Sequence, residues 1–101
     1  MTNSQDTSAR EVKLPRELDL LAAESLKETL LAELDEGEGL LLDASDVERV
    51  STPCIEVLVS AQKTCVATSQ SFQISNSSQV LVDAFSALGL DEQFKGWRTI
   101  Q

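Results

Sequence analysis

LLLDASDVERVSTPCIEVLV, residues 40–59, decides how this chain reads. Leu40, Leu41 and Leu42 form a short continuous apolar run closed by Asp43. Such a run between turn signals reads as a buried strand, often a parallel one. A polar link follows, and Ser51-Thr52-Pro53 then opens an apolar helix from Cys54 to about Ala67. Proline favours the first helical position and pushes the residue before it into the extended region, where an N-cap residue sits. This predicts Thr52 as N-cap and Pro53 at the first helical position. Helix starts carry unpaired N–H groups and partial positive charge. A hydroxyl there serves as a cap, a docking contact or a phosphorylation site, and a cap alone is the commonest role. A phosphoryl group on Thr52 would meet the N–H groups of Cys54 and Ile55, while Pro53 offers none. Asp46, Glu48 and Glu56 would repel it where they point toward it.

Reading outward, Val12 and Leu14 alternate with polar neighbours, which predicts a short edge strand, and Pro15 suits an edge. Leu18 is assigned to a second short strand. Asp19 is expected to cap a helix from about Leu20 to Leu34, with Ala23, Leu26, Leu30 and Leu34 at helical spacing. Gly37 is a candidate left-handed cap for its end. In the second helix, Cys54, Ile55, Leu58, Val59, Ala61, Cys65 and Val66 give a broad apolar face suited to packing on a sheet. Phe72 and Ile74 mark a strand over residues 71–75. Asn76, Ser77 and Ser78 break it and offer caps. Leu81, Ala84, Phe85 and Leu88 predict a third helix stopped by Gly89. Residues 90–101 read as a tail whose Phe94 and Trp97 fold back on the body. Strands alternating with helices predict an α/β layered domain with partly parallel strands.

With 101 residues the chain suits one domain with one modest core. Its 42% hydrophobic content is globular. The net charge of −9 disfavours nucleic acid and anionic membrane surfaces, since phosphate binding needs clustered Lys and Arg. The acidity fits solubility or a basic docking partner. No apolar stretch reaches the roughly 20 residues of a membrane helix, and the polar start lacks a signal peptide's apolar core. A cytoplasmic location is the expectation. Cys54 and Cys65, on one helix, stand about 16 Å apart at the standard rise. That is too far for a disulfide, so both read as buried apolar thiols.

Catalytic patterns are nearly absent. The chain has no histidine, no G-x-S-x-G and no Gly-rich phosphate loop, so no enzymatic activity, metal or cofactor is expected. Asp43, at the end of the central strand, points to the crevice where α/β sheets usually meet partners, or caps a loop there. Asp46 and Glu48 read as a solvated loop or as docking charges for a basic partner.

The chain resembles a STAS domain, the family of anti-sigma factor antagonists and of the cytosolic domains of sulfate transporters. The likeness runs from about Val12 to Phe94. It rests on Glu17-Leu18-Asp19-Leu20, on Leu40 to Asp43 with Val47-Glu48, on Ser51-Thr52-Pro53-Cys54, and on Asn76, Val80 and Leu88-Gly89-Leu90. The family usually reads Asp-Ser-Ser-Gly or Asp-Thr-x-Gly where this chain has Ser51 to Cys54. The resemblance implies an α/β fold with a STAS-like mixed β-sheet and helices packed mainly on one face. The polar start reads as a flexible tail over residues 1–10, followed by a single STAS-like domain over 11–95 and a tail over 96–101. The resemblance also implies regulation by protein–protein contact. In the best-known branch a partner Ser/Thr kinase, itself an anti-sigma factor, phosphorylates the hydroxyl at the start of the second helix and so breaks the complex. Thr52 matches that acceptor, with Ser51 as the second candidate. Stand-alone domains with an altered site resemble small chemotaxis-associated proteins and the cytosolic subunit of a phospholipid-transport ATPase, which act without phosphorylation.

The expected partner surface is Asp43, Ser45, Asp46, Ser51, Thr52, Cys54, Ile55 and Glu56. The expected partner is a protein: an anti-sigma factor or Ser/Thr-kinase-like protein, or a chemotaxis or transporter component. The chain itself is expected to be a monomer or weak dimer. A small apolar or nucleotide ligand in the crevice is a third reading with no motif behind it.

Overall fold

The computed structural model describes residues 10–37 and 39–97. The elements in chain order are β1 (Arg10–Lys13), β2 (Glu17–Leu18), α1 (Ala22–Leu34), β3 (Leu40–Asp43), β4 (Arg49–Val50), α2 (Thr52–Ala67), β5 (Phe72–Ser75), α3 (Gln79–Ala87) and α4 (Asp91–Trp97). The apolar Leu40–Leu42 run becomes the central strand. β3 pairs in parallel with β1 on one side and β5 on the other. β2 and β4 form a separate two-residue parallel ladder. The α/β class expected from the sequence is the observed one, and every described ladder is parallel.

Register sorts the side chains. Val12, Leu42 and Ile74 stand in one row, and Leu40 and Phe72 share the same face. Leu40, Leu42, Phe72 and Ile74 are all buried. The opposite face carries Glu11 and Gln73, both exposed, with Leu41 partly buried between them. One face is thus the core side and the other stays open. On the core side α2 and α4 contact β5, α3 contacts β4, and α1 lies along α2. All four aromatic residues meet there: Phe85 stacks on Phe94 at 4.4 Å, and Trp97 meets Phe72 edge-on at 5.2 Å.

The ends of elements follow local chemistry. Both Oδ1 and the carbonyl of Asp19 accept from the Ala22 N–H at 3.0 Å, so Asp19 closes the turn that leads into the first helix, while the N-cap position itself falls to Leu21 and not to Asp19 as expected. The helix proper begins at Ala22, and Leu20 and Leu21 form the turn before it. Gly37 and Gly89 adopt the left-handed conformation at φ 77° and 73°, as helix stops require. Ser78 Oγ accepts from Leu81 N at 3.3 Å and caps α3. Gln70 joins three elements: its Oε1 accepts from Gly39 N, and its Nε2 donates to Thr68 Oγ1 and to the Leu34 carbonyl.

Three expectations, those for Phe94 with Trp97, for Val66 and for Leu88, are corrected. Phe94 and Trp97 do pack on the body, but from a helix, α4, and not from a tail. β1 opens at Arg10 and α4 runs to Trp97, each just past the expected domain limits; the rest of the two expected tails, residues 1–9 and 98–101, lies outside the described residues. Val66 is 67% exposed, since it falls off the edge of the buried stripe of α2. Leu88 is also exposed, because α3 ends one residue before it. Both cysteines are free and buried, as read from their spacing, and burial raises the Cys65 pKa.

Gly39 provides a stringent test of this packing. Its φ is 85°, and an added Cβ would sit 2.6 Å from Ser71 Oγ and 2.9 Å from the Ser71 carbonyl. Gly39→Ala is expected to lower unfolding free energy by about 2–4 kcal/mol, from left-handed strain plus overpacking. Gly37→Ala, where nothing lies within 4 Å, should lose only the strain part. Urea denaturation of both variants checks this.

Candidate functional site

The exposed start of α2 is built from Ser51 outward. The Ser51 N–H donates to the Leu18 carbonyl at 2.7 Å, which extends the β2–β4 pairing by one residue. Its own carbonyl then accepts from Cys54 N and Ile55 N, both at 3.1 Å. Ser51 is therefore the N-cap residue, with extended backbone at φ −102° and ψ 159°. The expectation that Thr52 is the cap is overturned. Thr52 is the first helical residue and Pro53 the second; pairing with β2 outweighs the local proline preference. Ser51 caps through its backbone alone. Its Oγ is buried without a hydrogen-bond partner, and so is Ser77 Oγ just past the end of β5.

This leaves Thr52 exposed, with no hydrogen bond to its hydroxyl among the described residues. Glu56, one turn along, is also exposed. Cys54 is fully buried, and its thiol donates to the Asp19 carbonyl at 3.3 Å. Ile55 is 1% exposed. Cys54 is closed off from the surface, whereas Ile55, though nearly buried, lines the groove beside Thr52. The N–H groups of Cys54 and Ile55 are taken by Ser51, so they are not the free anion donors the sequence suggested.

The other predicted residues form a second cluster at the carboxyl ends of β1 and β3. Asp43 Oδ1 accepts from Ser45 N at 3.0 Å and Asn76 Nδ2 at 3.4 Å. Lys13, its register partner, reaches Asp43 at 3.5 Å and Asp46 at 3.6 Å. Glu48 pairs with Arg16 at 3.6 Å. The loop acids are thus partly neutralised by cations that the sequence reading left out. Lys13 and Asn76 could be found only from the strand register. No hydrogen bond or ion pair among the described residues joins this cluster to Thr52 and Glu56.

Two grooves flank α2. One, about 470 Å³, lies toward α3 and α4 and is lined by Thr52, Glu56, Lys63, Leu88, Leu90 and Gln93 among others. The second, about 340 Å³, lies toward α1. Thr52 thus opens onto a groove holding one carboxylate and one ammonium. Among the described residues no group of three His, Cys, Asp or Glu side chains is placed to hold a metal. No described helix is long and apolar enough to cross a membrane.

Hydrogen bonds from Ser45 hold the Asp43 carboxyl below its ordinary pKa of 3.8, with Asn76 and Lys13 adding to the effect. A lowered folded-state pKa gives stability that is complete above 3.8 and is lost as pH falls through the lower folded value. Asp43→Asn should therefore be less stable than wild type at pH 7, with the gap narrowing below pH 3.8. Urea midpoints measured at several pH values check this.

No curated protein matches the sequence. The fold matches a sulfate transporter family protein from Wolinella succinogenes at 16% identity and TM-score 0.73, over 95% of this chain and 80% of that one. It matches TM1081 in solution at 22% identity and TM-score 0.71, over 84% and 70% of the two chains. The crystal structure of TM1081, a candidate anti-sigma factor antagonist from Thermotoga maritima, matches at 23% identity and TM-score 0.70, over 81% and 74%. At these identities the likeness concerns the fold. A family model described as "Mlab, STAS domain" matches residues 1–99, and the chain belongs to the STAS domain family.

Proposed function

We propose that this chain is a non-enzymatic, cytoplasmic regulatory module that binds a bacterial signalling partner through the exposed start of α2. The observation that carries this reading is the state of Thr52. Its side chain is exposed at a fixed helix start, yet it caps nothing, because Ser51 already does so through its backbone. A free hydroxyl at that position suits a contact or a modification better than a structural role. Asp43, Ser45, Asp46, Ser51 and Glu56 are proposed to complete the surface, with Cys54 and Ile55 supporting it from the core. An anti-sigma factor with Ser/Thr kinase activity is the proposed partner, and phosphorylation of Thr52 would release it; Ser51, the second acceptor expected from the sequence, has its Oγ buried and closed to a kinase.

A second reading has its own support. A phosphate on Thr52 would find no N–H on Pro53, Cys54 and Ile55 already bonded, and Glu56 one turn away. Lys63, the cation lining the same groove, stands about 16 Å further along α2. Constitutive docking to a chemotaxis or phospholipid-transporter component, without phosphorylation, fits that poor anion site.

Affinity capture from the native organism with wild type, Thr52→Glu, Glu56→Lys and Leu41→Asp, read by mass spectrometry, separates these outcomes. The first reading predicts a kinase-like anti-sigma factor held by wild type and reduced at least about tenfold by Thr52→Glu, as for a central contact. The second predicts a transporter or chemotaxis protein that Thr52→Glu retains and Glu56→Lys weakens. Loss with Leu41→Asp alone would move the docking surface to the open sheet face and contradict both.

A further inference from the structure

α1 and α2 run side by side in the same direction. At their starts the Cys54 thiol meets the Asp19 carbonyl at 3.3 Å, and at their ends Gln70 reaches the Leu34 carbonyl. The groove between them runs from Ala23 to Leu34 on α1 and from Pro53 to Thr64 on α2. At 1.5 Å per residue it is about 16 Å long, three helical turns. Its floor is buried and apolar, made of Leu30, Leu34 and Ala61. Leu31 stands on its wall 48% exposed. Leu20 and Leu21, in the turn just before α1, are 68% and 87% exposed.

We infer that this groove seats an amphipathic helix of the partner protein, with a leucine-rich stripe on the floor and a lysine- or arginine-rich flank. The inference deepens the docking reading above and rests on it. The shape argument is that two parallel helices leave a channel that a third helix fills with its apolar ridge. Charge sets the flank. The groove walls carry Glu24 and Glu56 against one Lys27, and the chain as a whole carries −9. That field attracts a basic helix and repels an acidic one, a second copy of the same −9 chain, and an anionic lipid surface.

The probe is a fluorescent synthetic helix of about 14 residues, four turns, with leucines at helical spacing and lysines elsewhere. A second peptide carries glutamate in place of lysine. Anisotropy titrations use the whole chain, Leu31→Asp and Val66→Asp, with circular dichroism verifying that each is folded. Both substitutions add the same charge, but Val66 lies outside the groove. The leucine–lysine peptide is expected to bind wild type and Val66→Asp alike. It should lose at least about tenfold on Leu31→Asp, the scale of one leucine left unburied. The leucine–glutamate peptide should bind wild type at least about tenfold more weakly. Attraction by charge alone would instead strengthen on Leu31→Asp. That result, equal effects of the two substitutions, equal binding of the two peptides, or no binding of the lysine peptide would each overturn the inference. So would sedimentation of the chain alone as a dimer that Leu31→Asp dissolves, which would make a second copy the occupant. A native partner lost with Thr52→Glu but kept with Leu31→Asp would remove the groove and leave the helix-start reading standing.

Discussion

Ser51 is the residue at which sheet becomes helix. Its N–H completes the short ladder with β2, and its carbonyl accepts two N–H donors from the first turn of α2, those of Cys54 and Ile55. One residue thereby sets where α2 begins, which way it leaves the sheet and which side chains of its first turn face outward. The Cys54 thiol adds a second tie, to the carbonyl of Asp19 at the entrance of α1. The starts of α1 and α2 are consequently held to one another, and the surface they present is a rigid one. Rigid placement suits recognition, because little ordering entropy is lost when a partner docks.

The sheet explains why α2 has an outward side at all. All described pairings are parallel, yet only one face of the sheet is packed. Parallel sheets are usually covered on both faces. Here the open face is kept compatible with water by Glu11, Gln73, Lys13 and Asp43. The helices crowd the other side, with the aromatic cluster closing the core beneath α3 and α4. α2 is packed through Cys54, Ile55, Leu58, Ala61 and Cys65, and its remaining sides border two grooves. Gln70 fixes the far ends of α1 and α2 to the start of β3, so the channel between the two helices is anchored at both ends.

Much of this was legible in the residues. Leu40 to Leu42 marked the central strand, Phe72 and Ile74 the strand beside it, and Gly37 and Gly89 the helix stops. Each of these signals is local. What sequence reading missed depended on partners far along the chain. Pro53 pointed to Thr52 as the cap, but the deciding bond runs from Ser51 to Leu18. The run Asp91 to Trp97 has only two large apolar residues and a glycine, too little for a helical pattern, and its helix is secured by stacking on Phe85. Lys13 became part of the Asp43 cluster through a register that no short motif encodes. At the site itself, Cys54 and Ile55 were read as surface because they adjoin Thr52. Helical geometry turns them into the core while Thr52 and Glu56 point out.

The functional account is that partner recognition occurs across the exposed start of α2 and the channel beside it, leaving the open sheet face free. The most direct measurement is amide chemical-shift mapping of the isotope-labelled chain, titrated with its purified partner. Perturbations concentrated at residues 20–31 and 51–60 are the predicted result. Perturbations centred on Glu11, Leu41 and Gln73 would contradict the account.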